Sequence, residues 1–175
     1  MSSSVPPLSS TGVFTVAESI LIDAPREKVW EILLDFGSYK EWNAFVREQA
    51  IVSASGTALA DQTPAVGKRL LIRTVHLPPT MGDPGLMQSI GINALITTID
   101  HENYRAAWVA NSLPSWAFYA ERWQMLTVEG GKTKYENFEV FRGILAYLLK
   151  FFAGKNLVLG VRAMAEGLKS RAEGA

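Results

Sequence analysis

The stretch from Gly143 to Ala172 constrains the fold more than any other part of this sequence. It contains no proline, and its apolar residues recur at helical spacing in two groups: Leu145, Leu148, Leu149 and Phe152, then Leu157, Val161, Met164 and Leu168. At about 100° per residue the second group is turned by about 120° from the first, and the change falls at Gly154, where a helix can kink or restart. An isolated amphipathic helix of this length is unstable in water, so the rest of the chain has to supply a surface for it.

That surface is a predicted antiparallel sheet, because most of the remaining sequence is rich in β-branched and aromatic residues in runs bounded by turn residues. A short amphipathic helix over 25–35 and one further helical turn over 39–43 follow the first strand. Loops are predicted over 54–67 and 78–89. The seven predicted strands span 13–22, 45–53, 68–77, 90–100, 104–111, 118–128 and 132–142. Consecutive strands with short turns predict an α+β domain with a curved seven-stranded antiparallel sheet around a long C-terminal helix.

Composition bounds the domain organisation and the partners. The 175 residues suit one domain over 13–172, preceded by a flexible arm over 1–12 that lacks the basic and apolar segments of a secretory signal. Seventeen basic residues balance 17 acidic ones, which gives no support for nucleic-acid binding. The absence of cysteine fits a reducing, cytoplasmic location. The longest apolar run, 144–149, is too short to span a bilayer, so membrane contact is not favoured.

A curled sheet with one helix against its concave side leaves space between them, and this space is the expected ligand site. The loop over 78–89 is predicted to act as a mobile lid, because Met81, Leu86 and Met87 are too apolar for a solvated loop and Gly82 and Gly85 provide hinges. The residues predicted to contact a ligand are Trp42, Asn43, Met81, Met87, Trp108, Trp116, Arg122, Asn137, Phe141, Leu149 and Phe152.

Candidate catalytic groups are Glu139, His76 and Arg73. Glu139 shares one face of the last strand with Phe141, so it is a carboxylate in a largely apolar wall if that face looks inward. The interpretation favoured on the residues is an arginine–glutamate pair across the sheet with a structural role; the alternative is a polar anchor that orients a substrate carbonyl or hydroxyl. His76 precedes the predicted lid and is a candidate general acid or base, although a polar strand end is favoured.

No metal or cofactor is predicted. The only two histidines, His76 and His101, lie on different strands at loop ends, and there is no cysteine to complete a zinc site. The chain has no glycine-rich phosphate loop, no serine nucleophile elbow and no glycosidase pair of acids.

Two phrases resemble a known superfamily. The first comprises 19–25 (SILIDAP), Val29-Trp30, Tyr39 and Trp42-Asn43; the second comprises 139–143 (EVFRG) followed by the leucine-rich segment and 165–169 (AEGLK). They are similar to the opening and close of START-like (Bet v 1-like, SRPBCC) proteins of the polyketide cyclase/dehydrase branch. The resemblance implies a helix-grip fold with a hydrophobic cavity, in a superfamily of lipid and hormone carriers, aromatic cyclases and proteins of unknown role.

Three functions remain open on the sequence. The first is binding of a hydrophobic small molecule that is lipid-, polyketide- or terpenoid-like, by a monomer or homodimer. The second is a cofactor-independent enzyme of the cyclase or dehydratase type that folds such a substrate in the cavity. The third is docking to a membrane or a protein partner through the apolar segment 144–152.

Overall fold

The structure is a computed structural model that describes residue 6 and residues 11–83, 85, 89–110 and 112–174. Strand β1 is followed by helix α1, a 3-10 turn over Phe36–Ser38 and the short helix α2, then by six strands and the long helix α3. The bounds are β1 Phe14–Ile22, α1 Arg26–Leu34, α2 Tyr39–Trp42, β2 Val46–Val52, β3 Arg69–His76, β4 Ser89–Asp100, β5 Arg105–Ala110, β6 Tyr119–Glu129, β7 Lys132–Arg142 and α3 Ile144–Gly174.

The seven strands form one antiparallel sheet in the order β1-β7-β6-β5-β4-β3-β2, which confirms the predicted fold class. The β6–β7 hairpin turns at Gly130 and Gly131, whose positive φ angles of 60° and 78° suit a two-residue turn. β1 pairs with β7, so the first and last strands are neighbours at one edge. This pairing carries the chain directly from the edge of the sheet into α3.

Bulges bend the half of the sheet that contains β2 to β5. The pairing register shifts between Ile72 and Val75 on β3, between Val46 and Gln49 on β2, and between β4 and β5. A bulge adds an unpaired residue to one strand and increases the local bend. The sheet therefore curls around α3, as we expected for a sheet of seven strands.

The C-terminal half of α3 packs into this concave surface. The second predicted apolar group is buried, from Leu157 to Leu168, and two glycines let the helix approach closely. A Cβ atom on Gly160 would overlap the ring of Phe45, and one on Gly167 would overlap the carbonyl oxygen of Trp42. α3 runs through Gly154 as a single helix, so the predicted restart does not occur.

The first predicted apolar group of α3 is treated differently by the fold. Leu149 is half-buried, whereas Leu145, Leu148 and Phe152 are exposed to solvent. Within the described residues, the chain therefore covers only the second of the two predicted apolar groups.

Residues 11–13 extend the pairing of β1. The backbone N–H of Val13 donates to the carbonyl of Phe141 at 2.7 Å, and Arg142 donates from Nη2 to the Thr11 hydroxyl at 2.9 Å. Apart from Pro6, the rest of the predicted 1–12 arm lies outside the described residues.

Two glycine substitutions in α3 should have opposite effects. Gly167→Ala should lower the free energy of unfolding by about 1–3 kcal/mol, because the new methyl group collides with the backbone of Trp42. Gly154→Ala should raise it by up to about 1 kcal/mol, since the nearest atom to a Cβ there is the Lys150 Cγ at 3.9 Å and alanine favours the helix. Urea unfolding measures both. Equal effects would contradict the close helix–sheet contact.

Candidate functional site

An apolar cavity of about 160 Å³ lies between the concave face of the sheet and the N-terminal half of α3. Bulky and small apolar side chains from six strands form its walls, and Leu149 and Leu157 of α3 close it on the helix side. The other apolar lining residues are Phe45, Val46, Ile72, Val75, Leu77, Ile90, Ile92, Ala94, Trp108, Ala110, Phe118, Ala120 and Phe141. Ile90 is exposed, and Leu77, Phe118 and Leu149 are half-buried, so these residues mark the rim.

The only charged groups in the lining are Arg122 and Glu139, which are direct cross-strand partners on β6 and β7. Arg122 donates from Nη2 at 2.6 Å and from Nε at 3.2 Å, both to Oε2 of Glu139. The side chains are 6% and 13% exposed, and the guanidinium carbon lies 5.1 Å from the centre of the Phe45 ring. This is the arginine–glutamate pair across the sheet that the sequence predicted.

The pair keeps two polar atoms without a partner. Both hydrogen bonds end on Oε2, so Oε1 of Glu139 and Nη1 of Arg122 make no hydrogen bond within the described part of the chain. Oε1 is an acceptor and Nη1 is a donor, and the two residues that carry them line an otherwise apolar wall. The arrangement can hold a carbonyl or a hydroxyl group without breaking the ion pair.

A second polar cluster lies deeper on the same strands. The hydroxyl of Tyr135 donates to Oε1 of Gln124 at 2.5 Å, and Asn137 places Nδ2 at 3.6 Å from the sulfur of Met164 on α3. Nε2 of Gln124 and Oδ1 of Asn137 are buried without a hydrogen-bond partner among the described residues. Unpaired buried polar atoms are costly, so this region is polar at the expense of stability.

Tyr39 and Gln49 complete this cluster from the other side. The hydroxyl of Tyr39 donates to the carbonyl of Leu33 at 2.6 Å, and both side-chain polar atoms of Gln49 are buried without a partner in the described chain. Burial raises the pKa of Tyr39 well above the ordinary tyrosine value, and it raises the pKa of Tyr135 as well. Both phenols therefore remain neutral hydrogen-bond donors at physiological pH.

Five of the residues predicted from sequence meet at the cavity: Trp108, Arg122, Glu139, Phe141 and Leu149. Four more are buried but do not line it: Trp42, Asn43, His76 and Asn137. Asn137 belongs to the deeper polar cluster. Asn43 accepts hydrogen bonds at Oδ1 from the N–H groups of Phe45 and Val46, at 3.0 and 2.9 Å, and so shapes the entry into β2. Trp42 packs edge-on against Tyr39, with ring centres 4.7 Å apart.

Arg73 does not reach the cavity. It is half-exposed and lies 3.7 Å from Glu48 of β2. The bulge in β3 explains this, because Ile72 and Val75 both line the cavity although they are three positions apart. Arg73 and Thr74 between them are therefore directed to the opposite face, and the alternation assumed for a regular strand does not hold there.

His76 and Met81 lie together in a separate polar cleft beside β2 and β3. Nδ1 of His76 is 2.9 Å from the carbonyl oxygen of Thr80, and the sulfur of Met81 is 3.0 Å from Nη1 of Arg47. Neither residue lines the apolar cavity. Leu86 and Met87 of the predicted lid lie outside the described residues, so the lid remains a prediction.

The two remaining candidates are on the outer surface. Trp116 and Phe152 are among the most exposed apolar residues of the described chain, and neither lines the cavity. They flank the beginning of α3.

Sequence reasoning missed most of the apolar wall. Ile72, Val75, Ala94 and Ala120 look like ordinary strand residues, and no signal in the sequence separates a cavity wall from a packed core. Gln124 had a usable signal, since it shares a strand face with Arg122 and a polar pair on an inward face predicts an internal polar site.

Within the described residues, no group of three or more histidine, aspartate or glutamate side chains is arranged to hold a metal ion. The site is built from apolar walls and one ion pair.

The cavity between a seven-stranded curved sheet and a C-terminal helix defines the START/Bet v 1 class of helix-grip proteins. The family model for polyketide cyclase/dehydrase and lipid transport proteins matches residues 13–173, and the chain belongs to this family.

Relatives support this assignment. The oxopyrrolidines biosynthesis cluster protein O of Penicillium oxalicum is 28% identical over 191 aligned positions, which cover 95% of this chain and 90% of that protein. A START superfamily protein from Mycobacterium smegmatis superposes with a TM-score of 0.61 at 17% identity, covering 91% of this chain and 97% of the other. The major latex-like protein 151 of Panax ginseng gives 0.66 at 6% identity, covering 90% and 96%.

Breaking the cavity ion pair should cost more than removing it. We expect Glu139→Gln or Arg122→Met alone to lower the free energy of unfolding by about 3–5 kcal/mol, because each leaves a buried charge or donor without its partner. The double variant should lose clearly less than the sum of the two. Urea unfolding measures this cycle.

The half-exposed pair Arg171–Glu41 provides the control. Glu41→Gln should change the free energy of unfolding by no more than about 1 kcal/mol. Strictly additive losses at Arg122 and Glu139 would contradict a coupled buried pair.

We predict that the protein loses stability in alkali because Tyr39 and Tyr135 are buried. Their pKa values are raised in the folded chain from the ordinary value of 10.0, so above pH 10 the unfolded chain releases phenolic protons that the folded chain keeps. The stability contribution is complete below pH 10 and falls as the pH rises further. In urea unfolding at several pH values, Tyr135→Phe should reduce this slope, whereas Tyr147→Phe at an exposed position should leave it unchanged.

Proposed function

We propose that this protein binds a hydrophobic small molecule, lipid- or polyketide-like, whose single polar end is a carbonyl or a hydroxyl group. The observation that carries the proposal is the apolar cavity whose only charged lining residues are Arg122 and Glu139, with one atom of each, Nη1 and Oε1, outside the hydrogen bonds between them. Ligand sites are concave and mostly apolar with a few placed polar groups, and this arrangement has that character.

The volume of the cavity limits the size of the ligand unless side chains at the rim move. An apolar cavity of about 150 Å³ is large enough for benzene, while sites for larger ligands have about 300–1,000 Å³. At about 160 Å³ this cavity accepts a small aromatic or branched group as it stands. A longer chain has to displace the half-buried rim side chains Leu149 and Phe118, whose outer sides already face solvent.

The relatives agree with this class of ligand. The family is described as polyketide cyclases, dehydrases and lipid transport proteins. The relative from Penicillium oxalicum is named as a protein of an oxopyrrolidines biosynthesis cluster. A natural product or intermediate with an apolar body and an oxygen function fits both the family and the cavity wall.

Catalysis is the second candidate, and one observation favours it. Glu139 lines the cavity and is hydrogen-bonded to the guanidinium of Arg122, so in this mechanism its carboxylate accepts a proton while Arg122 stabilises negative charge on a substrate oxygen. A cyclisation or dehydration of the bound molecule needs such a proton transfer and no cofactor. In Glu139→Gln, turnover should fall by about a hundredfold while affinity changes by a few fold.

Ligand binding is tested by filling the cavity. A fluorescent fatty acid should bind one per chain at micromolar levels, and Ala94→Leu should weaken binding by about tenfold or more, a cost of only about 1.4 kcal/mol. Ala17→Leu, at an exposed position of β1, should leave the affinity unchanged.

The exposed apolar part of α3 can also hold such a probe, so the measurement is repeated in Phe151→Gln/Phe152→Gln. Binding that survives this double change and is lost in Ala94→Leu belongs to the cavity. An affinity for the probe that is unchanged by Ala94→Leu would overturn the proposed site.

A further inference from the structure

One side of α3 is apolar and uncovered. We call it the outer face; its residues are Ile144, Leu145, Tyr147, Leu148, Phe151, Phe152, Val158 and Leu159, all exposed, with Phe151 at 82% and Phe152 at 76%. At about 100° per residue they occupy an arc of about 160° centred opposite the buried residues Leu157 and Met164. Over these turns apolar residues therefore lie on every side of α3, interrupted by Lys150 and Lys155.

A helix that is apolar on all sides belongs inside a protein or against a lipid phase, because water covers neither side favourably. The described chain covers only one side of this helix. Trp116 widens the uncovered surface, since it is 74% exposed and its carbonyl accepts a hydrogen bond from Ile144 N–H at 3.0 Å. Tryptophan, tyrosine and phenylalanine together are typical of side chains at a membrane interface.

The charges on this segment are all positive. Between 143 and 161 the charged residues are Lys150 and Lys155; both are exposed, and neither makes a salt bridge within the described chain. The next one, Arg162, lies 3.6 Å from Glu18 and 3.9 Å from Glu166. Lysines beside an apolar helix face are attracted to anionic lipid headgroups.

The position of Lys155 favours a bilayer over a second copy of the chain as the partner of the outer face. By helical spacing it falls within about 20° of the centre of the outer face, among Phe151, Leu148 and Leu159. A symmetric contact with a second copy would bring these lysines together without a carboxylate, which is unfavourable. At a bilayer the long side chain of Lys155 can bend up to the phosphates while its neighbours enter the acyl region.

We propose that the outer face of α3, together with Trp116, docks onto the surface of a bilayer that contains anionic lipids. The helix lies in the interface and does not cross it. Ile144–Gly174 has the length and composition of a spanning helix. Its C-terminal half is committed to the core, because Val161, Met164 and Leu168 are fully buried against the sheet.

Docking in this orientation brings the rim of the cavity to the lipid. Leu149 lies in the same turns of α3, and Phe118 follows Trp116 by two residues; both line the cavity. Exchange of an apolar ligand between bilayer and cavity is then direct. This extension rests on the proposed function, whereas docking itself does not.

The test is flotation of the full chain, without added ligand, on vesicles of phosphatidylcholine and of phosphatidylcholine mixed with phosphatidylserine. We expect binding to the mixed vesicles, weakened by about tenfold or more in Phe151→Gln/Phe152→Gln. Val66→Gln/Val128→Gln changes two valines exposed elsewhere and should bind like the unmodified protein. Lys150→Gln/Lys155→Gln should lose the preference for phosphatidylserine, whereas Lys40→Gln should keep it.

Trp116 reports the orientation. The four other tryptophans are buried, so a shift of the emission to shorter wavelength on addition of vesicles should come from Trp116 and vanish in Trp116→Phe. Near-UV circular dichroism checks that every variant is folded. Absence of flotation on both vesicle types would overturn the proposal. So would a dimer, measured by light scattering, that Phe151→Gln/Phe152→Gln converts into a monomer, since a second copy then covers the face.

Because the flotation uses no ligand and the cavity assay uses no vesicles, each can fail alone. Loss of vesicle binding with intact fatty-acid binding removes only the docking surface. The reverse removes only the cavity function.

Discussion

The contact between the C-terminal half of α3 and the concave sheet is the interaction on which the rest of the structure depends. Gly160 and Gly167 let the helix backbone approach the Phe45 ring and the Trp42 carbonyl, and Val161 and Met164 fill the space between. Because α3 is a rigid helix, the packing of its C-terminal half also fixes the position of its N-terminal half. The gap under its N-terminal half is therefore a consequence of tight packing further along the same helix.

The ion pair in the cavity wall is a compromise between stability and function. A buried arginine and glutamate cost desolvation energy, and an apolar pair of similar volume would often be as stable. Their register on β6 and β7 places them directly opposite each other, so the pair forms without distorting the sheet. In the function proposed above, the pair orients an oxygen group of the ligand from a fixed place in an apolar wall.

The two ends of α3 have different environments in the fold. The C-terminal half is amphipathic, with Leu168 inside and Arg171 paired to Glu41 outside. The N-terminal half is apolar outside as well as inside, and its lysines carry the only charges there. Core packing alone does not require Phe151 and Phe152 at fully exposed positions, so their presence points to a second environment for this part of the molecule.

The sequence by itself determined the order of elements, the antiparallel sheet and the long C-terminal helix, because residue periodicity and turn chemistry are local properties; it left open which face of β7 looks inward. It predicted a cross-sheet partner for Glu139 but left open which arginine supplies it. Tertiary structure chose Arg122 through strand register and turned Arg73 outward through a bulge that follows no rule of alternation. It also decided which apolar group of α3 is buried. The hydrophobic effect favours the removal of any apolar side chain from water, but it does not specify which surface covers that side chain.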